Sequence, residues 1–180
     1  MQITDDTLIL SMMLAPDTRN KGYRELVNKH KEKLYWHIRR IVLFHEDADD
    51  VLQNTFIKIV RNIEKFEGQS SLFTWMYKIA TNESLNYIKS KKTRPSESIE
   101  NTMYFTKSAD ISIEENKVLN LLQKAIDTLP EKQKLVFNMR YYNEMPYHEM
   151  SEITDTSVGA LKASYHHAVK KIEEIIKKES

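Results

Sequence analysis

Pro146-Tyr147-His148-Glu149-Met150-Ser151-Glu152-Ile153, then Thr154-Asp155-Thr156, then Ser157-Val158-Gly159-Ala160-Leu161-Lys162-Ala163-Ser164-Tyr165-His166-His167-Ala168-Val169 is the stretch from which the architecture follows. A proline suits a first helical position, and Tyr147, Met150 and Ile153 recur at three-residue intervals as one buried stripe. Thr154-Asp155-Thr156 reads as a turn. Ser157 can then cap a second helix, whose apolar positions Val158, Leu161, Tyr165, Ala168, Val169 and Ile172 keep helical spacing. The other face carries Ala160, Lys162, Ala163, His166 and His167. Small residues there allow close approach to base edges, and lysine supplies a phosphate contact. Two short helices, a tight turn and such an outward face predict a DNA-binding helix-turn-helix, although the spacing alone also fits a structural helical hairpin.

Working outward, the chain of 180 residues has three glycines and four prolines, too few for a turn-rich β fold. Long stretches keep helical periodicity, so the expected fold is all-α, one ordinary domain or two small ones. Twenty-seven Lys and Arg oppose 26 Asp and Glu, which gives no global pull toward nucleic acid. The charge is segregated instead: Glu46-Asp47-Ala48-Asp49-Asp50 is acidic, whereas Lys89-Ser90-Lys91-Lys92-Thr93-Arg94 and the segment from Lys162 to Lys178 are basic. The absence of cysteine excludes disulfides and thiolate metal sites and suits a reducing cytoplasm. No apolar run approaches the roughly 20 residues that span a bilayer, and the N-terminus lacks a basic start with an apolar core. A soluble cytoplasmic protein without membrane insertion is expected.

Residues 1–93 read as a helical domain of about four helices, broken at Ala15-Pro16-Asp17, around Phe44 to Asp47, and at Glu67-Gly68-Gln69-Ser70-Ser71. Residues 94–113 turn polar and aperiodic and read as a flexible linker, with one apolar patch at Met103-Tyr104-Phe105. Periodicity returns over residues 114–180. Val118, Leu121, Leu122, Ala125, Ile126 and Leu129 form one stripe, Pro130 punctuates it, and Leu135, Val136, Met139 and Tyr142 form the next. The second domain is thus about four short helices, the last two being the helix-turn-helix.

A second informative stretch runs from Phe66 to Lys92. A polar glycine-containing loop opens a helix that carries Phe73, Trp75 and Tyr77, then Asn82 and Asn86, then the lysine cluster. Aromatics beside amides and lysines suit single-stranded nucleic acid, because unpaired bases offer faces for stacking, edges for hydrogen bonds and a charged backbone. The aromatics also fit a plain hydrophobic core. Between Asp47 and Ile63, early carboxylates at Asp47, Asp49 and Asp50 complement a helix N-terminus. Val51, Leu52, Phe56, Ile59, Val60 and Ile63 then form an apolar stripe, with Gln53, Asn54, Lys58 and Arg61 off it. Enzyme chemistry finds no footing: there is no glycine-rich phosphate loop, His-Glu-x-x-His pair or Gly-x-Ser-x-Gly turn. His166 and His167, adjacent on a helix, point about 100° apart and cannot chelate one metal. No metal, cofactor or catalytic activity is expected.

Taken together these stretches resemble the extracytoplasmic-function (ECF) class of bacterial sigma factors, relatives of the housekeeping sigma subunit of RNA polymerase. The resemblance rests on Leu34-Tyr35 through Arg39-Arg40 with Asp47 to Phe56, on Phe66 to Asn82, and on Leu129 to Phe137 with Ser157 to Lys162. It covers nearly the whole chain and implies sigma region 2 over 1–93 and sigma region 4 over 114–180. It also implies roles. Asp49, Asp50, Gln53, Asn54 and Phe56 would dock on core RNA polymerase. Gly68, Gln69, Ser70, Ser71, Trp75, Lys78 and Asn82, with Lys89, Lys91 and Lys92, would bind the minus-ten promoter element as single strand, one base being flipped out. Ser157, Ala160, Lys162, Ala163 and His166 would bind the minus-thirty-five element as duplex. An anti-sigma factor is a further implied partner.

The departures from the family pattern carry their own expectations. Asn54 stands where Glu is usual and Val60 where Trp is frequent. Thr154-Asp155-Thr156 replaces an apolar-Gly-apolar turn, which aspartate tolerates because it visits left-handed backbone more readily than most residues. Ser164 and His167 stand where arginines are common, so duplex binding by the isolated chain should be weak and salt-sensitive. The competing readings are a stand-alone helix-turn-helix regulator and a nucleic-acid enzyme using the acidic cluster as metal ligands.

Overall fold

The computed structural model describes residues 5–92 and 113–179, and of 92 and 113–116 the helical backbone alone. The linker and its patch Met103-Tyr104-Phe105 lie outside the described residues. Among those described, all regular structure is helical. The chain divides into two compact units, one built on Met1–Arg94 with Glu152–Asp155, the other on Pro95–Ser151 and Thr156–Ser180.

The first unit holds α1 (Asp6–Leu14), α2 (Arg19–Val42), α3 (His45–Asn62), a 3-10 turn (Ile63–Lys65) and α4 (Leu72–Lys92). The Asp5 carboxylate caps α1 by accepting from the Thr7 amide. Between α1 and α2, the Thr18 hydroxyl donates to the Met12 carbonyl over 2.9 Å and fixes the turn. The break between α2 and α3 falls slightly earlier than the sequence suggests, at Leu43, which takes φ +72° while its amide bonds the Arg39 carbonyl. Left-handed backbone is uncommon for leucine, and its surroundings have to impose it. Asn62 closes α3 by donating to the Lys58 carbonyl.

Ile9, Met13, Leu34, Ile38, Ala48, Ile59, Met76 and Ala80 make the fully buried centre of this unit, each large one contributing about 1.5–3 kcal/mol of apolar burial. Several polar groups inside it are paired. The Thr81 hydroxyl donates to the Tyr77 carbonyl and accepts from His37 Nε2, both over 2.8 Å. Burial holds the His37 pKa down to about 3, with the Arg40 charge adding to it, and burial pushes the Tyr77 phenol up. Asp47 was expected only as a helix-dipole carboxylate. It is instead a buried acceptor, taking the Tyr87 hydroxyl at 2.6 Å and the Lys91 ammonium at 2.7 Å, and so ties the start of α3 to the end of α4.

The second unit holds α5 (Ile113–Asp127), α6 (Glu131–Tyr141), α7 (Tyr147–Thr154) as far as Ser151, and α8 (Val158–Glu179). Four helices agree with the sequence, but α8 runs 22 residues and is not short, because its apolar spacing continues through Ile172, Ile175 and Ile176. Ala125, Ile126, Leu129, Phe137, Ala168 and Ile172 form its core. Pro130 and Pro146 both precede their helices rather than enter them: their carbonyls accept from the Lys134 and Met150 amides. Lys134 pairs with Asp127, and Lys171 donates to the Thr128 carbonyl at 2.8 Å.

Candidate nucleic-acid interface

The loop 66–71 joins the 3-10 turn to α4. Gly68 takes φ +70°, and a β-carbon built there meets nothing within 4 Å, so glycine serves the backbone angle and leaves the loop open. Gln69 donates to Glu67 over 2.8 Å. Ser71 begins α4: its hydroxyl oxygen accepts from the Thr74 amide at 3.0 Å, a capping role the sequence had not assigned it. Behind the loop Phe66 packs on Trp75, centroids 5.3 Å apart, and Phe73 on Tyr77 at 4.2 Å. Trp75 and Phe73 are half-buried, so each serves the core and still shows an edge to solvent.

Along α4, helical spacing puts Trp75, Lys78, Asn82, Asn86 and Lys89 within about 80° of one another. Asn82, Asn86 and Lys89 are exposed, and Lys78 is half-buried. Lys91 falls on the opposite side, where Asp47 takes its charge. The structure therefore brings four of the predicted α4 residues, Trp75, Lys78, Asn82 and Lys89, into one row behind Gly68 to Ser71, and turns Lys91 away. The side chain of Lys92 lies outside the described residues.

On α3, Asp49, Asp50, Gln53 and Asn54 are exposed and Phe56 is half-buried. His45 joins this face to α2: the Tyr35 hydroxyl is 2.6 Å from His45 Nδ1, and Nε2 is 3.5 Å from the Asp49 carboxylate. Sequence reasoning missed its apolar members, Trp36 at 45% exposure and Ile57 at 41%. Trp36 lies edge-on to Tyr35 at 5.3 Å, with the Arg40 guanidinium 5.9 Å over its ring. The signal was present in the sequence, as two large apolar side chains off their helices' buried stripes.

In the helix-turn-helix, Asp155 takes φ +51°, the left-handed turn that the sequence predicted aspartate would supply. Met150, Ile153, Leu161, Ala168 and Ile172 are buried; Tyr147, Val158, Tyr165 and Val169 are half-buried. Ser157 caps α8 by accepting from the Ala160 amide at 3.3 Å. Ser157, Ala160, Lys162, Ala163 and His166 are all exposed. Tyr147 is held between cations, Arg140 at 5.1 Å and Lys162 at 5.8 Å from its ring, so Lys162 is restrained at the turn.

Residues 26–94 match the family model of Sigma-70 region 2 and residues 119–172 that of Sigma-70 region 4. The ECF RNA polymerase sigma-E factor of Haemophilus influenzae is 31% identical over 96% of this chain and 95% of its own length. That of Escherichia coli strain K12 is 29% identical over 96% and 94%. Among solved structures, CnrH in complex with the cytosolic domain of CnrY has a TM-score of 0.72 at 17% identity, covering 97% of this chain and 99% of that one. The sigma factor RpoE of Bartonella quintana, crystallised with the anti-sigma factor NepR, has a TM-score of 0.67 at 19% identity, covering 87% and 98%. With relatives of this identity matching almost end to end, and each unit containing a match to a sigma region, the chain belongs to the ECF sigma factors of RNA polymerase.

Proposed function

We propose that the chain grips a promoter at two points while docked on core RNA polymerase, and that its first unit opens the DNA. A sigma factor directs promoter-specific initiation. Here the exposed face of α3, with Asp49, Asp50, Gln53 and Asn54, is the docking surface, and Trp36 and Ile57 add apolar contact. The observation that carries the reading is the row Trp75, Lys78, Asn82, Lys89 beside the open loop at Gly68. Such a row spans about 20 Å of helix. It offers a ring edge, an amide and the Lys89 ammonium to a single strand.

A base leaving the duplex gives up a few kcal/mol, which stacking at about 1–3 kcal/mol per base and a fitted loop offset. Upstream, α8 enters the major groove with Ala160 and Ala163 near base edges, while Lys162 and His166 reach phosphate or base. Neither act is catalytic, so the chain works as a cytoplasmic initiation factor without enzymatic activity of its own. An anti-sigma protein is the regulator that such a factor calls for, by analogy with the complexed relatives.

Reconstitution with core polymerase and a promoter library, followed by mapping of transcript starts, tests this reading. Starts should share two upstream elements at fixed spacing. If the chain directs no initiation with core, yet binds palindromic duplex alone, it is instead a stand-alone helix-turn-helix regulator.

A further inference from the structure

Helix α1 precedes the region-2 match at residues 26–94, yet it is built tightly into the first unit. A nine-residue helix does not hold in water alone, so packing must decide where it lies. Ile9 and Met13 are fully buried. Helices α1 and α2 approach so closely that a β-carbon on Gly22 would sit 2.7 Å from the Met13 backbone nitrogen. At the other end, the Asp6 carboxylate accepts from Lys29 Nζ and from His30 Nε2, both at 2.8 Å.

The contacts of α1 lead to both sides of the loop 66–71. On the approach side, α1 packs against the 3-10 turn Ile63–Lys65, and Arg19, just past α1, pairs with Glu64 at 3.4 Å. On the far side, the His30 ring lies 6.3 Å from Phe73 in the first turn of α4. Among the described residues, buried His30 Nδ1 has no hydrogen-bond partner. The ring is thus oriented by one hydrogen bond, the one to Asp6. The middle of the loop is held less firmly than its ends at Phe66 and Ser71, since a β-carbon on Gly68 would meet open space and the Gln69–Glu67 bond is exposed.

We propose that α1 is a brace for the loop 66–71, and that Asp6 and His30 are positioning residues for promoter opening. The proposal rests on the reading that this loop holds an extruded base. Loss of the Asp6 bonds frees His30 to rotate, and Phe73 and the start of α4 relax with it. The loop then meets the strand as an ensemble, and opening slows because each productive encounter requires the loop to be ordered first.

The test uses the full chain with core polymerase and a promoter duplex carrying 2-aminopurine at the extruded position, whose fluorescence rises on unstacking. Asp6→Ala should slow that rise about tenfold while core affinity stays at the wild-type value. His30→Gln, which keeps an N–H toward Asp6, should recover most of the rate lost in His30→Ala. Gly22→Ala displaces α1 with Asp6 and His30 intact and should also slow opening. Leu8→Ser, on the outer face of α1 at 53% exposure, should leave it unchanged. Asp6→Asn is the milder variant if Asp6→Ala does not fold, and amide exchange over 66–71 in the free chain should then be faster than in wild type. Wild-type opening in the Asp6 and Gly22 variants, or unchanged exchange, overturns the brace. Wild-type opening in a Gln69→Ala, Ser70→Ala double variant overturns the loop reading instead.

Discussion

His37 is 1% exposed and donates through Nε2 to Thr81, whose own proton goes to the Tyr77 carbonyl, so the folded chain holds a neutral imidazole. Burial keeps its pKa at about 3 against an ordinary 6.5. Burial lowers His30 as well, against the opposing pull of the Asp6 hydrogen bond. Below pH 6.5 the unfolded chain takes up protons that the folded chain refuses, so stability present above 6.5 is lost as pH falls toward 3. A drop from pH 7 to 5 should remove about 2 kcal/mol through His37 alone. Burial raises the Asp6 pKa, but the bonds from Lys29 and His30 outweigh it; the net shift is downward, so Asp6 adds loss only below 3.8, outside this window. Urea unfolding at both pH values checks the sum, and His37→Gln should flatten the difference. Equal stability at pH 5 and pH 7 in wild type would refute the neutral buried ring. None of this was legible in the sequence, where His37 was one of several scattered histidines. The same holds for Asp47, whose partners Tyr87 and Lys91 lie 40 and 44 residues away, beyond the reach of any spacing rule.

At the scale of elements the sequence was more informative, because period 3.6 is written into each helix and only three glycines and four prolines interrupt it. The cap at Ser157 and the left-handed turn at Asp155 were both readable, since they depend on residues adjacent in the chain. The break at Leu43 was harder to place, because leucine carries no mark of positive φ. The hidden capping role of Ser71 lay inside a loop read only for its polarity. Replacing Ser157 by alanine should lower stability by about 1 kcal/mol, seen as an earlier denaturant midpoint. It should also loosen the first turn of α8, reducing discrimination at the minus-thirty-five element more than at the minus-ten. On α3, alanine at Asp50 and Gln53 should reduce affinity for core polymerase about tenfold, with circular dichroism unchanged, as both side chains are exposed. Retained affinity would move the docking surface elsewhere.

For the molecule as a whole, a net charge of +1 supplies no long-range attraction to DNA, so affinity has to come from local groups and from the polymerase. With Ser164 and His167 on α8 where arginines are common in the family, the proposed duplex contact would neutralise few phosphates. The free chain should bind upstream duplex weakly, and each phosphate contact should add about −0.9 to the slope of log K against log salt. Lys162→Ala should flatten that slope by about 1 without changing which bases are preferred; an unchanged slope would mean that its ammonium stays on Tyr147 in the complex. Gly68 has open space around it but a backbone angle of the opposite hand. An L-alanine there would be strained by about 1–2 kcal/mol although it touches nothing. A D-alanine introduced by chemical ligation would match that backbone angle, and should stiffen the loop by removing freedom from the unfolded chain. At residue 68, handedness alone separates a damaging methyl group from a helpful one.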